Sequence, residues 1–303
     1  MCNVAPLTCH SIIGSRAALF IMSSVIPSSQ PSGGIYPGPL TTAIFDWAGT
    51  VLDFGCMAPV HAFRQVFDEA GVPISVTEAR QPMGAAKREH IAMILAMSEV
   101  EARWRAVKGV APTGGDLDQL YAAFLRVDAA NVERHSALIP GALETMAALR
   151  SRGLRIGSTT GYPREVMANL APLAKAQGYE PDHACTVSDV PRGRPAPDMC
   201  LVNALVLEAP DVRACVVVDD SPSGLLSARA AGMWAVGISA SGNEVGLSLE
   251  DWRALPAAQQ QERLAVARQR LEAAGAHFVI ESIADLLPVI DVIEARLADG
   301  VSP

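Results

Sequence analysis

Three acids stand at the ends of apolar runs in this chain: Asp46 after "TTAIF", and Asp219 and Asp220 after "ACVVV". A carboxylate in such a place either caps the following helix or takes part in chemistry. Three of them brought to one rim would repel one another unless a cation sat among them. A hard divalent ion, Mg²⁺ with several waters retained, is the usual solution. Two further stretches could hold an anion. "GSTTGYPRE" ends an apolar run on Thr160 and follows it with Gly161, so a hydroxyl and opened backbone amides can cradle a phosphate. "VPRGRPAPDM" sets Arg194 between a glycine and a proline, a rigid setting for a guanidinium that clamps a phosphoryl or phosphonyl oxygen. Taken singly, an ordinary turn and a surface arginine are the plain alternatives.

The elements that would position these groups are legible as runs and breaks. "TTAIFD", "LRIGST", "ACVVVDD", "WAVGIS" and "HFVIES" read as strands, with helical stretches over 141–152, 163–177, 195–207 and 221–231 between them. Short apolar strands alternating with helices predict an α/β fold, a Rossmann-like parallel sheet covered on both faces. Ligands of such sheets sit beyond the carboxyl ends of the strands, which puts Asp46, Thr159, Thr160, Asp219 and Asp220 along one rim. Residues 58–137 break the alternation and read as wholly helical. They predict a helical cap domain inserted into a core domain made of 41–57 and 138–303. The segment 255–275 reads as a solvated amphipathic helix without chemistry. Residues 1–40, apolar and then Ser/Pro/Gly-rich, are expected to form a flexible extension; "MCNVAPLTCH" lacks the basic residues of a secretory signal.

The bulk numbers limit the partners. A net charge of −8 and a pI near 5.3 argue against a nucleic-acid footprint. No apolar run reaches the length of a membrane span, roughly 20 residues. The six cysteines, at 2, 9, 56, 185, 200 and 215, include no Cys-x-x-Cys pair, which fits reduced thiols in the cytoplasm.

The order of the parts resembles the haloacid dehalogenase superfamily: Asp-x-x-Gly-Thr on the first strand, a hydroxyl on a later one, a basic residue before Pro, then Asp-Asp. The likeness runs over nearly the whole chain from residue 41 onward. It implies that Asp46 attacks phosphorus. Phosphatases and mutases of the superfamily usually carry a second acid two residues after the nucleophile, to protonate a departing oxygen. Here that residue is Ala48, which offers only its backbone carbonyl. Either the protein is catalytically crippled or its leaving group is not an oxygen.

"QPMGAAKREHIAM" puts Met83, Lys87 and His90 on one helix face at i−4, i and i+3. A lysine on a helix face is ordinarily solvated. One brought over the rim could instead form an imine with a carbonyl substrate, and an imine is an electron sink that makes a carbon leaving group feasible. Together, "DWAGTVLDFGCMAP", "MGAAKREHI", "GSTTGYPRE", "GRPAPDM" and "DDSPSGLLSARAAGMW" resemble the phosphonoacetaldehyde hydrolases, or phosphonatases. The resemblance implies hydrolysis of phosphonoacetaldehyde to acetaldehyde and phosphate by a Mg²⁺-dependent homodimer. It implies Asp46 as nucleophile, Lys87 as the imine-forming lysine and His90 as a proton shuttle. Met83 and Cys56 would line the site, Thr160, Gly161 and Tyr162 would cover the second motif, and Arg194 would hold the phosphonyl group. Asp46, the Ala48 carbonyl and Asp220 would bind the metal. Some family members place another acid four residues after that metal-binding Asp, where this chain has Gly224, and Asp219 is the expected replacement. The rival expectations are a phosphatase or phosphomutase of the same superfamily, which would want an acid at position 48, and a non-catalytic phosphoryl-ligand-binding protein.

Overall fold

Unbroken runs of Val, Ile, Ala and Phe bounded by Gly, Pro and Asp make short strands buried on both faces. In the computed structural model, which describes residues 36–303, six such strands form one parallel sheet. They are β1 (Thr42–Phe45), β2 (Arg155–Thr160), β3 (His183–Thr186), β4 (Cys215–Asp219), β5 (Trp234–Ile238) and β6 (Phe278–Ile280), in the order β3-β2-β1-β4-β5-β6. β1 pairs with β2 on one side and β4 on the other, Ile44 standing level with Gly157 and Val217. The strand order therefore reverses at β1, and the crevice at such a reversal is where open α/β sheets bind ligands. Asp46 directly follows β1, Thr160 ends β2 and Asp219 ends β4.

Five of the six strands are those expected from the sequence. The addition is β3, "HACT", an edge strand of which only the last two residues are buried. A strand paired on one side and half exposed has no need of the continuous apolar run that marks the others. Of the extension expected over 1–40, only residues 36–40 lie within the described residues; there Leu40 is buried in the core and Tyr36 packs against it.

Between β1 and β2 the chain runs through α1 (Met57–Glu69), α2 (Val76–Arg80), α3 (Lys87–Leu95), α4 (Ser98–Lys108) and α5 (Gly114–Arg134). Capping boxes start two of them, Ser75 with Glu78 at α2 and Thr113 with Asp116 at α5. These helices bury a cluster of their own, with Phe63, Phe67, Ile91, Ile94 and Phe124 at its centre. The Phe63 ring stacks on Phe124, centroids 4.5 Å apart. The two linkers that join this cluster to the sheet hydrogen-bond to each other. Asp53 N–H donates to the Ala137 carbonyl at 3.1 Å, and Ile139 N–H to that of Val51 at 2.8 Å. The Asp53 side chain accepts from Met57 and Ala58 N–H, both at 3.0 Å, and so satisfies the open first turn of α1.

The remaining helices alternate with strands: α6 (Ala142–Ser151), α7 (Arg164–Ala176), α8 (Asp198–Val206), α9 (Pro222–Ala230), α10 (Leu249–Ala254), α11 (Ala257–Ala273) and α12 (Leu286–Ala298). α11 is the helix expected over 255–275, and it buries only Leu264, Ala267 and Leu271. Among the described residues no helix is long and apolar enough to cross a membrane.

Candidate active site

Asp46, Asp219 and Asp220 converge at the rim, with one carboxylate oxygen of each within 4.8 Å of the others. All three are buried. Burial, and then the neighbouring acids, hold the Asp220 carboxyl well above its ordinary value. Burial also pushes Asp46 up to about 7, although Arg194 beside it acts in the opposite direction. Arg194 is the cation inside the cluster. Its Nη2 lies 2.8 Å from Asp46 Oδ1 and 2.9 Å from Asp219 Oδ2, and donates to Thr159 Oγ1 at 2.6 Å. One guanidinium thus meets two of three clustered carboxylates, and a divalent cation would offset the negative charge it leaves. The donor set is all oxygen, with the Ala48 carbonyl beside it, and that suits a hard ion. The residues therefore fit a divalent metal site.

The helices supply the other wall. Lys87 opens α3 and is buried, its Nζ 4.7 Å from the Tyr162 ring centroid and 5.8 Å from that of Phe63. Burial lowers its pKa, with Arg194 acting the same way, while Asp128, Cys56 and Asp46 oppose the shift. One turn on, His90 is wholly enclosed, its ring stacked 3.9 Å from Phe63. His90 Nε2 lies 2.9 Å from the Ala79 carbonyl, which can only accept, so Nε2 carries the proton and Nδ1 keeps its lone pair. Burial and the Lys87 charge hold that ring neutral.

Between the two walls lies a narrow cavity of about 20 Å³. Asp46, Ala48, Cys56, Met83, Lys87, Thr160, Gly161, Tyr162, Arg194 and Asp220 line it, together with Pro59 and Gly84. Of the residues singled out in the sequence, Thr159, His90, Asp219 and Gly224 stand back from this lining. The enclosure is tight because Gly84, at φ +88°, lets the segment before α3 lie on the start of α9. A Cβ there would sit 2.3 Å from Ser221 Oγ.

A sequence model of the haloacid dehalogenase-like hydrolases matches residues 40–232. The chain is 46% identical over 268 residues to the phosphonoacetaldehyde hydrolase of Hahella chejuensis, covering 88% of this chain and 91% of that protein. The chain belongs to the phosphonoacetaldehyde hydrolase family of the haloacid dehalogenase-like hydrolases. The family member from Pseudomonas aeruginosa PAO1 is 45% identical over 267 residues, 88% of this chain and 97% of its own. Among solved structures, a phosphonoacetaldehyde hydrolase-like protein from Oleispira antarctica superposes with a TM-score of 0.88 at 45% identity, over 89% of this chain and 98% of that one.

Within this family frame the place of Gly224 has a steric explanation. Asp219 turns Oδ1 toward Ser221, accepting from its N–H at 2.9 Å and its hydroxyl at 2.7 Å, and turns Oδ2 toward Arg194. A Cβ on Gly224 would lie 2.0 Å from the Asp219 carboxyl carbon. An acid at 224 and this conformation of Asp219 therefore exclude each other. Asp220 instead faces the cavity, and its Oδ2 accepts from Cys56 Sγ at 3.0 Å and Asn243 N–H at 2.6 Å. Burial pushes the Cys56 thiol well up, so it stays a donor.

Three residues of the site escaped the sequence reading. Arg80 Nη1 reaches across from α2 to the Gly55 carbonyl at 2.8 Å and Asn243 Oδ1 at 3.1 Å, tying the helices to the loop that holds Asp220. No local signal marks Arg80 or Asn243, since their pairing joins segments 163 residues apart. Asp128 does have a signal: it interrupts the buried stripe Leu120, Phe124, Val132 along α5. The steric relation at Gly224 has a measurable consequence. Gly224→Ala is expected to cost about 1–3 kcal/mol of stability, as overpacking does. In a double-mutant cycle with Asp219→Ala the two costs should fail to add, because the second change removes the clash. Additive unfolding free energies from urea titrations would contradict this.

Proposed function

We propose that the protein hydrolyses the P–C bond of phosphonoacetaldehyde to acetaldehyde and phosphate, with Lys87 and Asp46 as its two reacting groups. One observation carries the reading: a buried lysine with a lowered pKa and a buried aspartate beside an arginine line the same narrow cavity. Its family relatives bear the name of that activity. The helices within 58–137 act as a cap over a core of 41–57 and 138–303, bringing Lys87 above the sheet rim.

In this reading the neutral Lys87 amine adds to the aldehyde carbonyl and, with loss of water, forms an imine. Burial favours this step, because it shifts the amine toward its neutral form. Arg194, with Thr160 and the Gly161–Tyr162 backbone, holds the phosphonyl oxygens. Asp46 then attacks phosphorus; the P–C electron pair moves into the protonated imine and leaves as an enamine. Protonation of the enamine carbon and hydrolysis of the imine release acetaldehyde, and water cleaves the aspartyl-phosphate. Ala48 fits because a carbon leaving group of this kind calls for an electron sink in place of an acid two residues after the nucleophile. His90 Nδ1, unprotonated and one turn from Lys87, serves proton transfer around the imine. Met83 and Cys56 close the wall against water.

Asp46, the Ala48 carbonyl and Asp220 are the residues that would hold Mg²⁺, with Asp219 adjoining them through Arg194. When bound, the ion would supply positive charge that stabilises the phosphonyl oxygens. We also place the enzyme in the cytoplasm as a homodimer. The four cysteines among the described residues are all free thiols, in keeping with a reducing compartment.

The direct test is borohydride treatment in the presence of phosphonoacetaldehyde, followed by peptide mapping. Irreversible inactivation with the label on Lys87 is expected, and Lys87→Arg should abolish turnover while retaining the positive charge. Acetaldehyde release by Lys87→Arg at a substantial fraction of the wild-type rate would refute the imine.

Metal removal gives a second expectation. EDTA should stop turnover and Mg²⁺ restore it, and Asp220→Asn should raise the Mg²⁺ requirement far more than Ser221→Ala. Full activity in metal-free buffer would refute the assignment. Third, Ala48→Asp should not speed phosphonoacetaldehyde cleavage, since it adds a negative charge beside the carboxylate cluster. It should favour phosphate esters instead, to which a general acid contributes about 10²–10⁴-fold. Paired assays on a phosphonate and a phosphate ester decide the point.

A further inference from the structure

The buried acid on α5 has no part in the reaction as described so far. Asp128 is fully enclosed, does not line the cavity, and neither of its carboxylate oxygens has a hydrogen-bond partner. A carboxylate in that condition is costly to bury unless a charge compensates it. The position is no accident of the helix surface. Leu120, Phe124, Asp128 and Val132 follow one another at intervals of four along α5, and all four are buried. Phe124 stacks on Phe63, which in turn lies 5.8 Å from Lys87 Nζ, while Val132 belongs to the core cluster that contains Tyr162. Asp128 thus sits on the buried face of α5, between a residue that reaches the Phe63 ring and one in the core cluster of Tyr162, and α5 packs against α3, which Lys87 opens.

We propose that Asp128 is a positioning residue of the reaction, the buried counter-charge that faces Lys87 and stabilises the positive charge of the iminium formed on it. The role rests on the imine reading above. Asp128 makes and breaks no bond; it acts through the lysine.

The groups around the pair are few. Lys87 is faced by Asp128 from α5, Cys56 from the start of α1, Asp46 and Arg194 from the sheet rim, Tyr162 after β2 and His90 on its own helix. Among these, Asp128 comes first of the groups that raise the Lys87 pKa against burial. Lys87 is in turn the one charge that lowers Asp128, whose carboxyl burial pushes up to about 7. Asp53 and Tyr162 also feel the Asp128 charge. Arg194, the other nearby cation, is engaged by Asp46 and Asp219. An iminium on Lys87 carries a full positive charge in a buried setting, and Asp128 is the buried, unpartnered carboxylate nearby that neither the metal site nor Arg194 claims.

The sequence makes the test direct, because it contains only three lysines, Lys87, Lys108 and Lys175. Lysine labelled with ¹³C at Cε gives three NMR signals, two of them from partly exposed residues, and the pH titration of each can be followed in the intact protein. In Asp128→Asn the Lys87 signal should titrate lower than in wild type, by about 1–3 pH units for the loss of a close opposite charge. Lys108 and Lys175 should not move. At a pH above the Lys87 titration in both proteins, where the resting amine is neutral and only the iminium carries the charge, the fraction of Lys87 trapped by borohydride with phosphonoacetaldehyde should fall about tenfold for each unit of that shift. Asp128→Glu, which keeps the charge, should recover part of both. A labelled wild type together with an unshifted Lys87 in folded Asp128→Asn overturns the role of Asp128 and leaves the imine standing. A wild type in which Lys87 is never labelled overturns the imine and this role with it. Should Asp128→Asn fail to fold, Lys87→Met gives the reciprocal measurement. Without its cation the Asp128 carboxyl should titrate above its wild-type value, and an unchanged titration overturns the proposal.

Discussion

Arg194 lies between two buried carboxylates at the ends of adjacent strands, Asp46 after β1 and Asp219 at the end of β4, and the site is arranged around that contact. Removing one partner from such a group leaves a buried charge uncompensated, at a cost of about 3–5 kcal/mol. The guanidinium therefore holds the ends of two neighbouring strands at a fixed separation. Its hydrogen bond to Thr159 adds the end of β2. A single planar cation sets the geometry of three strand ends, and the excess negative charge it leaves is what makes the rim a place for a divalent ion.

The same cluster explains the chemistry asked of the opposite wall. A lysine brought to a site with an arginine and little water is driven toward its neutral form, and neutrality is what a nucleophilic amine needs. The acids that oppose this, Asp128 foremost, keep the amine from becoming a mere apolar tether. Burial and counter-charge act in opposite directions on one nitrogen. Their balance, weakly screened in a buried site, decides when that nitrogen is an amine and when it is a cation.

Closure of the cavity depends on backbone meeting backbone. Gly84 on the α9 start, the Arg80 fork on the Gly55 carbonyl and Asn243, and the paired linkers at Asp53 and Ile139 all join helices to sheet through hydrogen bonds and close contact. Apolar burial is kept mostly within each part, in separate clusters.

Much of this was readable in the sequence because it is local. The apolar runs that become β1, β2, β4, β5 and β6, and the acids that end them, are contiguous stretches whose period and punctuation specify strand and turn. Residue types at short spacing, such as Met83, Lys87 and His90 on one helix, can be placed on a face without knowing what that face meets. What they meet was decided by the tertiary structure. Packing against Phe63 and the Ala79 carbonyl sets His90 behind the cavity wall, and contact with Gly224 turns Asp219 toward Arg194 and Ser221. Edge pairing makes a strand of "HACT". Asp128 looks like a polar break in an apolar stripe until α5 is packed against α3, whose first residue is a buried lysine. Sequence determines periodicity and chemical type over a few residues; charge compensation and steric exclusion are properties of pairs brought together from far apart, and only the folded chain contains them.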